Sequence, residues 1–131
     1  MIDCESQIFT PIAKKVRDEH SGAFVTGEYV RAPAKFPHVS IVEMDNYGSD
    51  YDTAESEQFA VITYEVNVYS NKSAGKKSEA RAIMNTIDKM MYGMNFKRLS
   101  LTPVPNLEDS TIYRLTARYR AKTDGTMLYR F

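Results

Sequence analysis

Residues 59–92 decide the fold. They run Phe59-Ala-Val-Ile-Thr-Tyr-Glu-Val-Asn-Val-Tyr-Ser70, then Asn71-Lys-Ser-Ala-Gly-Lys-Lys77, then Ser78-Glu-Ala-Arg-Ala-Ile-Met-Asn-Thr-Ile-Asp-Lys-Met-Met-Tyr92. The first part alternates with a period of two. Ala60, Ile62, Tyr64, Val66 and Val68 share one face of a strand, and Val61, Thr63, Glu65, Asn67 and Tyr69 share the other, half-polar face. After a short polar turn the period changes to about 3.6. Ala80, Ile83, Met84, Ile87, Met90 and Met91 then line one stripe of a helix, which Gly93 is placed to end. The methionines in that stripe are read as adaptable core filler.

Working outward, Asp3 can cap a first helix running to about Asp18, with Ile8, Ile12 and Val16 spaced by four beside Phe9 and Ala13. Pro11 lies inside that pattern; it either breaks the helix or confines it to residues after Thr10. Ala23–Val30 reads as a short strand, Pro33 and Pro37 punctuate a loop, and His38–Met44 alternates as a strand. Residues 45–58 lose all apolar period and hold Asp45, Asp50, Asp52, Glu55 and Glu57 among Asn, Gly and Ser, which predicts a long acidic loop.

Phe96–Val104 alternates again, with Pro103 and Pro105 marking an edge or a strand end. Thr111–Lys122 is a second long strand. Tyr113, Leu115, Ala117, Tyr119 and Ala121 lie on one face, and Arg114, Thr116, Arg118 and Arg120 on the other. Asp124-Gly125 predicts a hairpin turn that folds Thr126–Phe131 back as a last strand. One apolar face per strand and two striped helices predict an α+β fold. The sheet is mostly antiparallel, two main helices pack on one face, and residues 1–131 form a single domain.

Composition narrows the function classes. With 131 residues, 43% hydrophobic and 26% charged, the chain is an ordinary globular domain. No apolar run approaches the roughly 20 residues needed to cross a bilayer. Met1-Ile-Asp-Cys-Glu lacks the pattern of a signal peptide, and Cys4 has no second cysteine to pair with, so a cytoplasmic site of synthesis is expected. The net charge of zero hides an asymmetry. Residues 1–65 hold 12 Asp/Glu and 5 Lys/Arg, a difference of −7, whereas residues 66–131 hold 5 and 12, a difference of +7. Either the two halves interleave in space and average out, or the molecule carries complementary surfaces suited to association.

Strand, Gly75-Lys76 and helix imitate a phosphate-binding loop. That motif requires glycine where Ser70 stands and Ser or Thr where Lys77 stands, so a polar turn capped by Ser73 or Ser78 is the better reading. His20, His38 and Cys4 match no catalytic signature. Asp50, Asp52 and Glu55 miss the calcium-loop spacing. Arg114, Arg118 and Arg120 interleave with Tyr113 and Tyr119, but alternation sends rings and guanidinium groups to opposite faces, which argues against base stacking beside phosphate contacts. The arginines are better matched to acidic side chains, within the sheet or across an interface.

Three stretches carry a family resemblance: Lys35-Phe-Pro-His-Val-Ser-Ile-Val42; Val66-Asn-Val-Tyr-Ser70 with Ser78-Glu-Ala-Arg-Ala-Ile83; and Arg114-Leu-Thr-Ala-Arg-Tyr-Arg120. Together with the order of elements, they resemble the tail-completion or tail-terminator proteins of long-tailed bacteriophages. The resemblance implies a homo-oligomeric ring, usually a hexamer, in the virion at the head-proximal end of the tail. Such a ring caps the tail tube, ends its polymerisation and meets the head-completion or connector protein, with DNA passing only through its lumen. It implies no catalytic residue, cofactor, metal or membrane. Within it, the acidic segment (Asp45, Asp50, Asp52, Glu55) and the arginines (Arg114, Arg118, Arg120) are expected at assembly contacts. Two other readings stay in view: another neck or tail-tube component, and a small single-stranded nucleic-acid-binding domain. An enzyme with an undeclared site is a more distant third.

Overall fold

The alternating segment forms β3 (Glu57–Ser70), and the strands that pair with it build the sheet. The computed structural model describes residues 1–30, 32–51, 57–105, 109–126 and 128–129, with the backbone alone at 49–51, 57 and 58. The elements follow in the order α1 (Glu5–Glu19), β1 (Phe24–Thr26), β2 (His38–Tyr51), β3, α2 (Lys76–Gly93), β4 (Lys97–Val104), β5 (Tyr113–Thr123) and β6 (Leu128–Tyr129). The sheet order is β1-β2-β3-β5-β4, with β6 paired to the end of β5. β1 runs parallel to β2, and the other pairings are antiparallel. The fold is α+β, as the periodicities indicate.

Both helices cover one face of the sheet. Ala60, Ile62, Tyr64, Val66 and Val68 of β3 are fully buried there. Val39 and Ile41 of β2 and Leu115, Ala117, Tyr119 and Ala121 of β5 join them, under Ile8, Ile12 and Val16 of α1 and Ala80, Ile83, Met84, Ile87 and Met91 of α2. Each large side chain withdrawn from water there contributes about 1.5–3 kcal/mol. Met84 and Met91 are core residues, while Met90 packs at the margin.

Local signals were partly overruled. α1 continues through Pro11 instead of breaking. Pro11 and Gln7 are both solvent-exposed, so the carbonyl that loses its donor at Pro11 faces water, and the buried stripe on the opposite side holds the helix. Its N-cap is Cys4 rather than Asp3, although Asp3 Oδ1 still accepts the Glu5 N–H at 3.1 Å. α2 begins one turn earlier than its stripe, after Gly75 in the left-handed region at φ 89°, and neither Ser73 nor Ser78 is its N-cap. Beyond the other end, Asn95 takes φ 68° and donates to the Leu128 carbonyl at 2.9 Å.

The largest correction concerns the acidic segment. β2 does not stop at Met44; it runs to Tyr51, paired with β3 from Asp45↔Thr63 to Tyr51↔Glu57 past a register shift between Glu43 and Asp45. A segment rich in Asp, Asn, Gly and Ser has little strand preference of its own, and here the apolar partner strand imposes the conformation. The first strand is only Phe24–Thr26, and the last is Leu128–Tyr129 within the described residues.

Candidate assembly surface

Among the described residues no helix lies over the second face of the sheet. Its central rows are polar but well connected. Glu65 Oε1 accepts from Asn67 Nδ2 at 3.0 Å, and Glu65 Oε2 accepts from Arg118 Nε at 3.1 Å and Nη2 at 3.0 Å. Asn67 Oδ1 accepts from Thr116 Oγ1 at 2.7 Å and Arg114 Nε at 2.9 Å. Asn67 and Ser40 are buried in the middle of this face. β3 supplies the acceptors and β5 the donors, and the pairs Glu65↔Arg118 and Asn67↔Thr116 stand directly opposite each other.

Five of the seven expected assembly residues lie within the described structure. Arg114 is held within the subunit, its guanidinium 5.6 Å from the Tyr69 ring and 6.0 Å from the Tyr29 ring. Arg118 pairs with Glu65 across the strands, the within-sheet pairing that the sequence allowed. Arg120 stands between Thr63 and Lys97, and its Nε is buried with no hydrogen-bond partner among the described residues. Asp45 is exposed on β2 opposite Thr63. Asp50 belongs to β2 by its backbone. Asp52 and Glu55 lie outside the described residues.

Rings reach the arginine face from neighbouring strands. On β5 itself the expected separation holds: Tyr119 is buried on the helix side, its hydroxyl donating to Asp88 Oδ1 at 2.8 Å. But Tyr69 and Phe59 of β3, Tyr47 of β2 and Tyr129 of β6 have the register of the basic face. Lys122 Nζ sits 4.8 Å from the Phe59 ring centre. Reading β5 alone missed them, because cross-strand register is not visible within one strand.

The histidines and the cysteine serve packing. His20 Nε2 meets Thr86 Oγ1 at 2.8 Å, tying α1 to α2. His38 is buried edge-on to the rings of Phe24 and Tyr69, with Nε2 3.2 Å from Thr26 Oγ1, and burial lowers its pKa. The Cys4 thiol is buried, and its pKa is raised by desolvation. At the abandoned phosphate loop, Ser70 Oγ donates to Glu79 Oε1 at 2.7 Å, and Lys76 Nζ donates to the carbonyls of Ser110 and Thr111. A cleft of about 530 Å³ nearby is lined by Lys76, Pro103, Val104, Ile112, Tyr113 and Arg114. Its charged groups among the described residues are both cations, which is no acid–base pair.

The sequence asymmetry survives in space. Strand by strand in sheet order, β2 carries Glu43, Asp45 and Asp50, and β3 carries Glu57 and Glu65, with no Lys or Arg on either. β5 carries Arg114, Arg118, Arg120 and Lys122, and β4 carries Lys97 and Arg98, with no acid on either. Along the strands of the sheet the charges do not interleave: β2 and β3 carry acids, β5 and β4 bases. Among the described residues no helix is long and apolar enough to cross a membrane. No family model matches the sequence, and no curated protein matches it significantly.

Proposed function

We propose that this chain is the ring-forming terminator subunit of a phage tail, or of a phage-tail-like particle, placed between the tail tube and the head-completion proteins. The observation that carries the reading is the lateral division of charge across the sheet, acidic on β2 and β3 and basic on β5 and β4. A subunit with opposite charges on opposite sides is built to meet further copies in a fixed direction. The three stretches behind the family resemblance also support it, because they fold together. Val39 and Ile41 pair with Val68 and Val66, and these pair in turn with Leu115 and Ala117. The Ser70–Glu79 bond fastens the strand half of the central motif to its helix half.

The test is negative-stain electron microscopy of the purified protein, alone and with tail tubes. Rings that sit on tube ends are expected. A protein that forms no ring and leaves tube length unlimited contradicts the reading.

One observation favours a second reading. Tyr47 and Tyr129 are half-exposed on the face that also holds Arg118, Arg120 and Lys122, so aromatic and cationic groups do share a surface. Titration with an oligothymidylate at several salt concentrations separates the two. Tight binding with a steep salt slope by a monomeric protein favours the nucleic-acid domain.

A further inference from the structure

We propose that one copy of this chain docks the β2 edge of its sheet against the β4 edge of a second copy, and that this contact repeats round the assembly. The inference rests on the ring reading above and names the surfaces that build the ring. Both edges are open. β1 pairs with β2 only at His38, Val39 and Ser40, so among the described residues no strand flanks β2 from Ile41 to Tyr51 on the side away from β3. β4 closes the other side of the sheet, and no described strand flanks it outward.

The two edges complement each other in charge and in greasiness. The β2 edge presents exposed Met44, Asp45 and Tyr47. The β4 edge presents exposed Lys97 and Leu99, with Arg120 behind it on β5. Exposed apolar side chains with charge at the margin are the makings of a protein contact. Arg120 stands opposite Lys97 on this basic side, its Nε buried without an acceptor among the described residues.

The contact is head-to-tail. Two β2 edges would set Asp45 near Asp45, and two β4 edges would set Lys97 near Lys97; like charges so placed repel. A heterologous contact of this kind closes into a ring or runs on as a filament. β4 also carries a register shift between Arg98 and Ser100, and a proline at 103. Such features guard an edge against indiscriminate strand addition, which leaves side-chain complementarity to choose the partner.

The experiment is a charge-reversal mixing test by light scattering. Asp45→Lys spoils the acidic edge and Lys97→Glu the basic one; both side chains are exposed, so both variants are expected to keep the wild-type circular dichroism and melting temperature. Each alone is expected to raise the concentration needed for assembly about tenfold or more. Asp45→Lys/Asp50→Lys and Lys97→Glu/Arg120→Glu are expected to be monomeric alone. Mixed one to one, they are expected to form heterodimers through the unaltered edges and to assemble further, because the two reversed edges are again opposite in charge. If wild type assembles and the single variants assemble equally well, the edge contact is wrong while the ring reading stands. Folded double variants that are monomeric alone and give no heterodimer when mixed also overturn it. Wild type that stays monomeric throughout overturns both. Loss of oligothymidylate binding in Lys97→Glu/Arg120→Glu, with assembly unchanged, makes the basic side a nucleic-acid surface and overturns the docking.

Discussion

Arg118 sets both Nε and Nη2 against one oxygen of Glu65, at 3.1 and 3.0 Å, across the β3–β5 pair. The Glu65 side chain is 10% exposed and that of Arg118 56%, so the carboxylate is the committed partner and the guanidinium retains access to solvent. Arg118→Ala leaves Glu65 with the Asn67 amide alone and is expected to cost about 1–2 kcal/mol, less than a fully buried pair because water screens the exposed half. Asn67→Ala removes the junction itself, stranding Thr116 Oγ1 and Arg114 Nε and taking a donor from Glu65. It is expected to cost about 2–3 kcal/mol. Urea denaturation measures both. A larger loss for Arg118→Ala than for Asn67→Ala would contradict the placing of Asn67 at the centre.

His38 gives the fold an acid sensitivity. Burial lowers its pKa below the ordinary 6.5, because the protonated ring loses hydration between Phe24 and Tyr69. A lowered folded-state value means that stability from the neutral ring is fully present above about 6.5 and is lost as pH falls through the lowered value. The melting temperature is therefore expected to drop between pH 7 and pH 5, and His38→Gln is expected to flatten part of that drop. An unchanged pH profile in the variant would show that the drop belongs to other groups.

Glu43 works in the opposite direction. It stands on the helix side opposite Tyr64, and its pKa is raised above 4.5, first by burial and then by the charge of Asp3. The sign follows from linkage: stability from holding the proton is fully present below about 4.5 and is lost as pH rises through the raised value. Glu43→Gln, which stays neutral, is expected to be more stable than wild type at pH 7 and to lose that advantage at pH 4. Guanidinium denaturation at the two pH values checks this. A destabilised variant at pH 7 would mean that the ionised carboxylate is held by favourable contacts.

How legible all this was in the sequence depended on where the information lies. β3, α2 and β5 could be read directly because their apolar periods are intrinsic to each segment, and every residue placed on the inner faces of β3 and β5 from Leu115 to Ala121 is buried. The second half of β2 could not be read that way. Asp45 to Tyr51 becomes a strand only because Glu57–Thr63 lies alongside it. Pro11 misled for a related reason, since the buried stripe of Ile8, Ile12 and Val16 outweighs one missing donor that faces water. The charge imbalance was visible in the sequence, but its meaning was not. Only the strand order, with β5 next to β3 and β4 outermost, turns two halves of a sequence into two sides of a sheet. The same holds for the rings of Tyr69 and Phe59, which join the arginine face by register.

The central claim is that this subunit assembles with copies of itself in one direction, and its solution mass tests that claim most directly. Multi-angle light scattering across a range of concentration and salt is expected to show particles several times the 14.9 kDa chain mass, six-fold if the ring is a hexamer, falling towards the monomer as salt screens the opposed edges. A 14.9 kDa species that persists at high protein concentration and low salt would contradict it.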